Sequence, residues 1–137
     1  MLAQPPIRAE WLPVRDPELR STGAHFDGVR VSEEIGRLIL VDLAQHGHRD
    51  SPVIMDPWSP DPRMYFLLPA GSVTGPTFGP GTIALGRGSH VVVPPFHSTE
   101  GPGLHWHRPP TGAHLFIDAV RFREALERVT GVGSEGE

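Results

Sequence analysis

The chain has 137 residues, 38% of them hydrophobic and 20% charged, with a formal net charge of −4 and no cysteine. That length suits one domain with one core, and the lack of cysteine excludes disulfides and thiolate metal sites. The acidic balance argues against a general nucleic-acid binder, while 16 glycines and 16 prolines point to short elements joined by stiff turns.

Residues 1 to 23 carry Pro5, Pro6, Pro13 and Pro17, whose spacing prevents a long regular element and predicts an extended Pro-rich arm. A globular body over 24 to 130 follows. "FDGVRV" from Phe26 reads as a short strand. "SEEIGRLILVDLAQHG" reads as a helix, with Ser32 as N-cap, Glu33 and Glu34 at the positive end of the dipole, and Ile35, Leu38, Ile39 and Leu43 on one face. Gly47 closes it, and His46 and His48 suit its C-terminal carbonyls. "VIMD" (Val53 to Asp56) is a short strand, "PWSPDP" a loop, and "RMYFLLP" has the continuous apolar character of a buried strand. "AGSVTGPTFGPG" is loop; "TIALG", "SHVVVPP" and "GLHWHR" read as three more strands. "DAVRFREALERVTG" is a second helix, capped by Asp118, stopped by Gly131 and buried along Ala119, Phe122, Ala125, Leu126 and Val129, with Glu124 and Arg128 as an i,i+4 pair. Residues 131 to 137 read as a frayed tail. The expected fold is α+β, one single domain with a small, mostly antiparallel sheet and two helices.

All 12 basic residues are arginine. Planar anion contacts would favour that choice, and a GC-rich coding bias produces the same result. The charge is uneven along the chain. From Pro57 to Ile117 only Asp61 and Glu100 stand against Arg63, Arg87 and Arg108, with five histidines besides, so mild acidification turns this stretch cationic. The N-terminus lacks a basic start followed by an apolar run, and no stretch reaches membrane-spanning length, which makes a cytoplasmic location and no membrane partner the expectation.

"HWH" places His105 and His107 at i and i+2, on one side of a strand, where two imidazoles can share a zinc or iron ion; His97, His90, His114 or Glu100 would supply a third ligand. Cupin-type HxH strands carry a glutamate soon afterwards, and "RPPTGAH" here has none. The plainer reading of the same pair is an ordinary strand face opposite a core Trp106. Ser72, Ser89 and Ser98 lack the surroundings of a nucleophile, and Asp56 and Asp61, beside Arg63, suit Asx turns.

Taken together, "RMYFLLPAG", "GTIALGRGSHVVVPP" and "GPGLHWHRPP" resemble the later half of the primase-polymerase (prim-pol) domain of bacterial replication proteins. The shared order is an aromatic-pair strand, a glycine-led strand, a "VVxPP" strand and a "G-x-x-W" strand, over about 48 residues from Arg63 to Pro110. That family's chemistry implies metal-binding carboxylates and a histidine near the nucleotide phosphates. Here the histidine position holds Arg63, the acid of the glycine-led strand falls at Ala84, and of an earlier acidic pair only Asp42 has a counterpart. The resemblance therefore implies a truncated, degenerate relative without catalytic residues and without a cofactor. Its groove would bind a nucleotide or nucleic-acid phosphate through Arg63, Arg87, His90 and Arg108, with Tyr65 and Trp106 available for stacking. Two alternatives stand beside it: a regulatory module binding a protein partner or forming a homo-oligomer, and a metalloenzyme using His105, His107 and His97.

Overall fold

A computed structural model of the chain describes residues 9–58, 60–75, 78–111 and 114–131. In chain order the elements are β1 (Glu18–Ser21), β2 (Phe26–Ser32), α1 (Glu33–Gln45), β3 (Val53–Asp56), β4 (Arg63–Pro69), β5 (Ile83–Leu85), β6 (His90–Val93), β7 (His105–Arg108) and α2 (Ala119–Thr130). The α+β expectation holds. Five strands form an antiparallel sheet in the order β5-β2-β4-β3-β7, and β1 pairs with β6 in a separate antiparallel ribbon.

Side-chain alternation along the central strands explains why the sheet is covered on both faces. Met64, Phe66 and Leu68 of β4, Val29 and Val31 of β2, and Val53 and Met55 of β3 enter one core with Ile39, Leu40 and Leu43 of α1 and Phe122, Ala125 and Leu126 of α2. Residues of opposite parity, Leu67, Ile54 and Phe26, join Val91 and Val93 of the ribbon, Trp106 of β7, and Trp11 and Leu12 in a second core. The layers are therefore helices, sheet and ribbon. β4 lies at the centre and is covered by a core on each face, which is why its sequence is apolar at nearly every position.

α1 follows β2 directly because Ser32 accepts from the Ile35 amide at 3.1 Å and ends the extended run. Its buried face is Gly36, Ile39, Leu40 and Leu43; Leu38, expected on that face, is instead exposed. The helix is rotated toward Gly36 because that is where it crosses β4: a Cβ there would lie 2.5 Å from Met64 Sδ. Gly36→Val should consequently cost about 1–3 kcal/mol through overpacking, read as a lower urea midpoint at unchanged slope. His46 Nδ1 lies 2.8 Å from Asp42 O, and Gly47 takes a φ of +87°, as the helix-end reading expected. His48 contributes only its backbone amide, donated to Leu43 O.

α2 begins at Asp118, whose carboxylate accepts from Arg121 N, and ends at Gly131 in the left-handed conformation. Its stripe is as expected, with Phe122 stacked against Phe66 and Phe78 at ring distances of 5.0 and 5.6 Å. Arg128 does not pair with Glu124. It makes a bidentate contact with Asp42 of α1, at 2.8 to 3.1 Å, because helix packing brings that acid closer than solvent-exposed Glu124.

The segment expected to be an extended arm falls partly outside the described residues, which start at Ala9. From there it packs on the body: Trp11 and Leu12 are buried, Trp11 meets Phe26 edge-on at 5.2 Å, and Glu18–Ser21 form β1. The tail expected over 131 to 137 also lies outside the described residues beyond Gly131. Among the described residues no helix is long and apolar enough to cross a membrane.

Candidate anion-binding site

The residues expected to line one phosphate-binding groove do not come together. Arg63 starts β4 opposite Ser32, at the C-terminal end of β2. Arg87 follows β5 and packs beside the turn that precedes β2, where Gly23, at φ +96°, comes so close that an added Cβ would sit 2.7 Å from Arg87 Cα. Thr22 fixes this arrangement, donating its amide to Ser89 O at 2.9 Å and its hydroxyl to Gly86 O. The six residue steps of β2 from Phe26 to Ser32 separate the two arginines by roughly 20 Å at about 3.3 Å per residue, too far for one phosphate. They line two different hollows that meet at Ile83. His90 starts β6 just after Ser89, at the Arg87 end, and is exposed.

The aromatic residues are also placed by the core. Trp106 is fully buried with its indole N–H donated to Pro94 O at 3.0 Å, so it has no face to offer a base. That corrects the stacking role expected for it. Tyr65 sits between Arg30 and Ile54 across the sheet, half-buried against the second core.

Arg108 has different company. β7 pairs with β3 through Met55↔His105, Ile54↔Trp106 and Val53↔Arg108, so His107 is an extra residue opposite the Val53/Ile54 step. Such a bulge breaks the strict alternation of a strand and re-aims neighbouring side chains. Here His107 and Arg108 both reach a hollow of about 440 Å³ between β7 and α1, which Arg37 and Arg49 also line. Its floor is apolar, from Leu40, Val41 and Ala44.

Two of these cations, Arg37 and Arg108, are held in place rather than left loose. Arg37 Nε bonds to Glu33 Oε2 at 2.7 Å, one helical turn back. Arg108 Nη1 donates to Arg49 O at 2.6 Å, tying the strand to the link between α1 and β3. Fixed guanidinium groups surrender less side-chain entropy when an anion arrives. Three arginines against one glutamate make the hollow electropositive in a protein of acidic total charge.

His107 reports that field. Burial, first of all, and then the charges of Arg37, Arg108 and His105 hold its imidazole below the ordinary histidine pKa, with Glu33 opposing weakly. The unfolded chain takes up this proton as pH falls below about 6.5, before the folded chain does. Stability from this group is therefore fully present above that pH and is lost as pH falls through the lowered folded value. Urea midpoints should fall between neutral and mildly acidic pH, and His107→Gln should flatten that part of the profile.

The histidine-metal arrangement lacks a third ligand among the described residues, where no group of three His, Asp or Glu side chains is placed to hold a metal ion. His105 and His107 do flank one another, but His105 Nδ1 lies 2.7 Å from Gly103 O and His107 faces guanidinium groups. His97 is exposed on the loop after β6.

At the positions the prim-pol resemblance made decisive, Ala84 is buried in the helix-side core and Asp42 is occupied by Arg128. The Asp42–Arg128 pair clamps α1 to α2 at their exposed side. Arg128→Ala should cost about 0.5–1 kcal/mol by thermal unfolding, with anion binding unchanged. Compared with protein-family models, with curated proteins and with solved structures, the chain has no match.

Sequence reasoning missed Arg37 and Arg49. Arg37 lies on the polar side of a predicted helix and Arg49 in a predicted turn, where arginine is ordinary; only the bulge in β7 joins them to Arg108.

Proposed function

We propose that the protein is a non-catalytic binding module that recognises a phosphate group of a nucleotide or nucleic acid in the hollow between α1 and β7, on a reduced prim-pol-like scaffold. The observation that carries this reading is the convergence of Arg37, Arg49 and Arg108 with the half-buried His107 over an apolar floor. Guanidinium groups recognise phosphate oxygens with paired, charge-assisted hydrogen bonds. Val41 and Ala44 offer surface for a base or sugar beside the phosphate.

The reading is non-catalytic because the positions where the resembled family carries acid are Ala84 and a salt-bridged Asp42. Titration of fluorescent mononucleotides and short single-stranded oligonucleotides over a salt series tests it. Affinity should fall steadily with salt, because binding releases counterions and the entropy gained by their release shrinks as bulk salt rises. It should rise as pH drops from 7.5 toward 5.5, because a bound anion stabilises His107 in its protonated form. Salt-independent binding, or none to any phosphate-bearing probe, removes the proposal.

A further inference from the structure

The sheet has two outer strands, and they are not equivalent. At the β7 edge, Trp106 N donates to Ser98 O at 2.7 Å, so the loop after β6 occupies part of it. At the β5 edge, no described residue outside the sheet makes a backbone hydrogen bond to Ile83–Leu85. An open edge presents a row of peptide N–H and C=O groups, which is a template for a further strand.

β5 is set firmly for that task. Before it, Thr82 Oγ1 accepts from the amides of Phe78 and Gly79 and so fixes the entering turn. After it, Thr22 holds Gly86 and Ser89. Ile83 is 41% exposed, an apolar side chain standing between two hollows of about 490 and 240 Å³. One wall of the larger hollow, at Val73, is tethered by its amide to the buried Asp27 carboxylate at 2.9 Å.

The charge along this edge is net positive. Arg87 lines the larger hollow; Arg30 and Arg63 line the smaller, beside Asp61. None of these three arginines has an ion pair with a described carboxylate, whereas Arg20, Arg37 and Arg128 all do. Cations at both ends of an open strand select an extended segment that carries carboxylates at both ends.

We infer that β5 is a strand-addition site for an extended segment of a partner protein, apolar where it pairs with Ile83–Leu85 and acidic on either side. The complementary backbone favours a peptide over a nucleic-acid strand, which has no row of amides to match. Tyr65, the aromatic side chain across Arg30 from Ile83, is half-buried and gives bases little to stack on. A three-residue strand supplies few ladder bonds, so the flanking charges set much of the affinity. This inference is independent of the hollow at β7.

The test uses the intact protein, with fluorescein-labelled peptides EEVTVTVEE and KKVTVTVKK and an oligothymidylate of similar span as probes. The acidic peptide should bind at least about tenfold more tightly than the basic one at low salt, with the difference shrinking as salt rises. Its binding should slow amide hydrogen exchange at Ile83–Leu85. Arg87→Glu, at an exposed position, should weaken it about tenfold or more, and Ile83→Glu should weaken it further, while Arg37→Glu with Arg49→Glu leaves it unchanged. Equal binding of the two peptides, undetectable binding of the acidic one, unchanged exchange at Ile83–Leu85, or protection of those amides by oligothymidylate alone overturns the inference.

Discussion

Replacing Trp106 with alanine should remove about 3–5 kcal/mol of folding stability, a large part of the roughly 5–15 kcal/mol typical of a whole domain. The residue is completely buried on an outer strand, in the core that joins the sheet to the β1–β6 ribbon. Its ring fills space among residues from several distant segments, including Trp11, Phe26 and Val93. The cavity left by alanine could not collapse without moving both sheet and ribbon. Trp106→Phe separates packing from hydrogen bonding, because phenylalanine keeps much of the apolar volume but leaves Pro94 O without the indole N–H. An unpaired buried carbonyl costs about 1–3 kcal/mol, so the phenylalanine variant should fall between the wild type and the alanine variant. Circular dichroism through a urea series measures all three. A Trp106→Ala protein as stable as the wild type would mean that this side chain does not join the two layers.

The second large effect concerns the ligand. Reversing Arg37 and Arg49 together to glutamate should weaken single-stranded oligonucleotide binding about a hundredfold or more, since two charge-assisted hydrogen bonds at roughly 1.5–3 kcal/mol each are lost. The slope of log affinity against log salt should shrink by about 0.7, the contribution of one neutralised phosphate on a single strand. Arg49 is exposed and Arg37 lies on the open side of α1, so the fold should persist; circular dichroism checks it. The companion variant, Arg63→Glu with Arg87→Glu, decides the location. It should leave phosphate binding within about twofold, because surface charges beyond a Debye length of about 10 Å are largely screened and neither residue lines the hollow at β7: Arg87 and Arg63 line the two hollows that meet at Ile83. The opposite result, sensitivity at Arg63 and Arg87 with none at Arg37 and Arg49, would move the ligand to the β5 edge.

The two large effects are linked through one strand, β7, for a physical reason. Its Trp106 anchors the strand to the core, and the bulge next to that anchor turns His107 and Arg108 toward α1. Stability and the candidate site thus depend on adjacent residues, one fully buried and the next two half-buried. Variants at Trp106 should therefore impair anion binding in proportion to the folded fraction lost, whereas variants at Arg37 and Arg49 should impair binding alone.

Local chemistry determined most elements of this protein, β1 excepted. Ser32 and Asp118 start helices with their own side-chain oxygens, Gly131 stops one, and the apolar runs of "VIMD" and "RMYFLLP" became β3 and β4 over the same residues. Those signals act over a few residues and need no partner, so they can be read along a string. The site was decided at longer range. Arg37, Arg49 and Arg108 span 71 positions and share a hollow only because β7 is the outer neighbour of β3 and bulges at His107. Arg63 and Arg87, much closer in sequence, were sent to opposite ends of β2 by strand register. Trp106 could not be assigned to core or surface from its neighbours, since a strand shows alternate sides whatever covers them; the ribbon that buries it is made from β1 and β6, a pairing between residues about seventy positions apart.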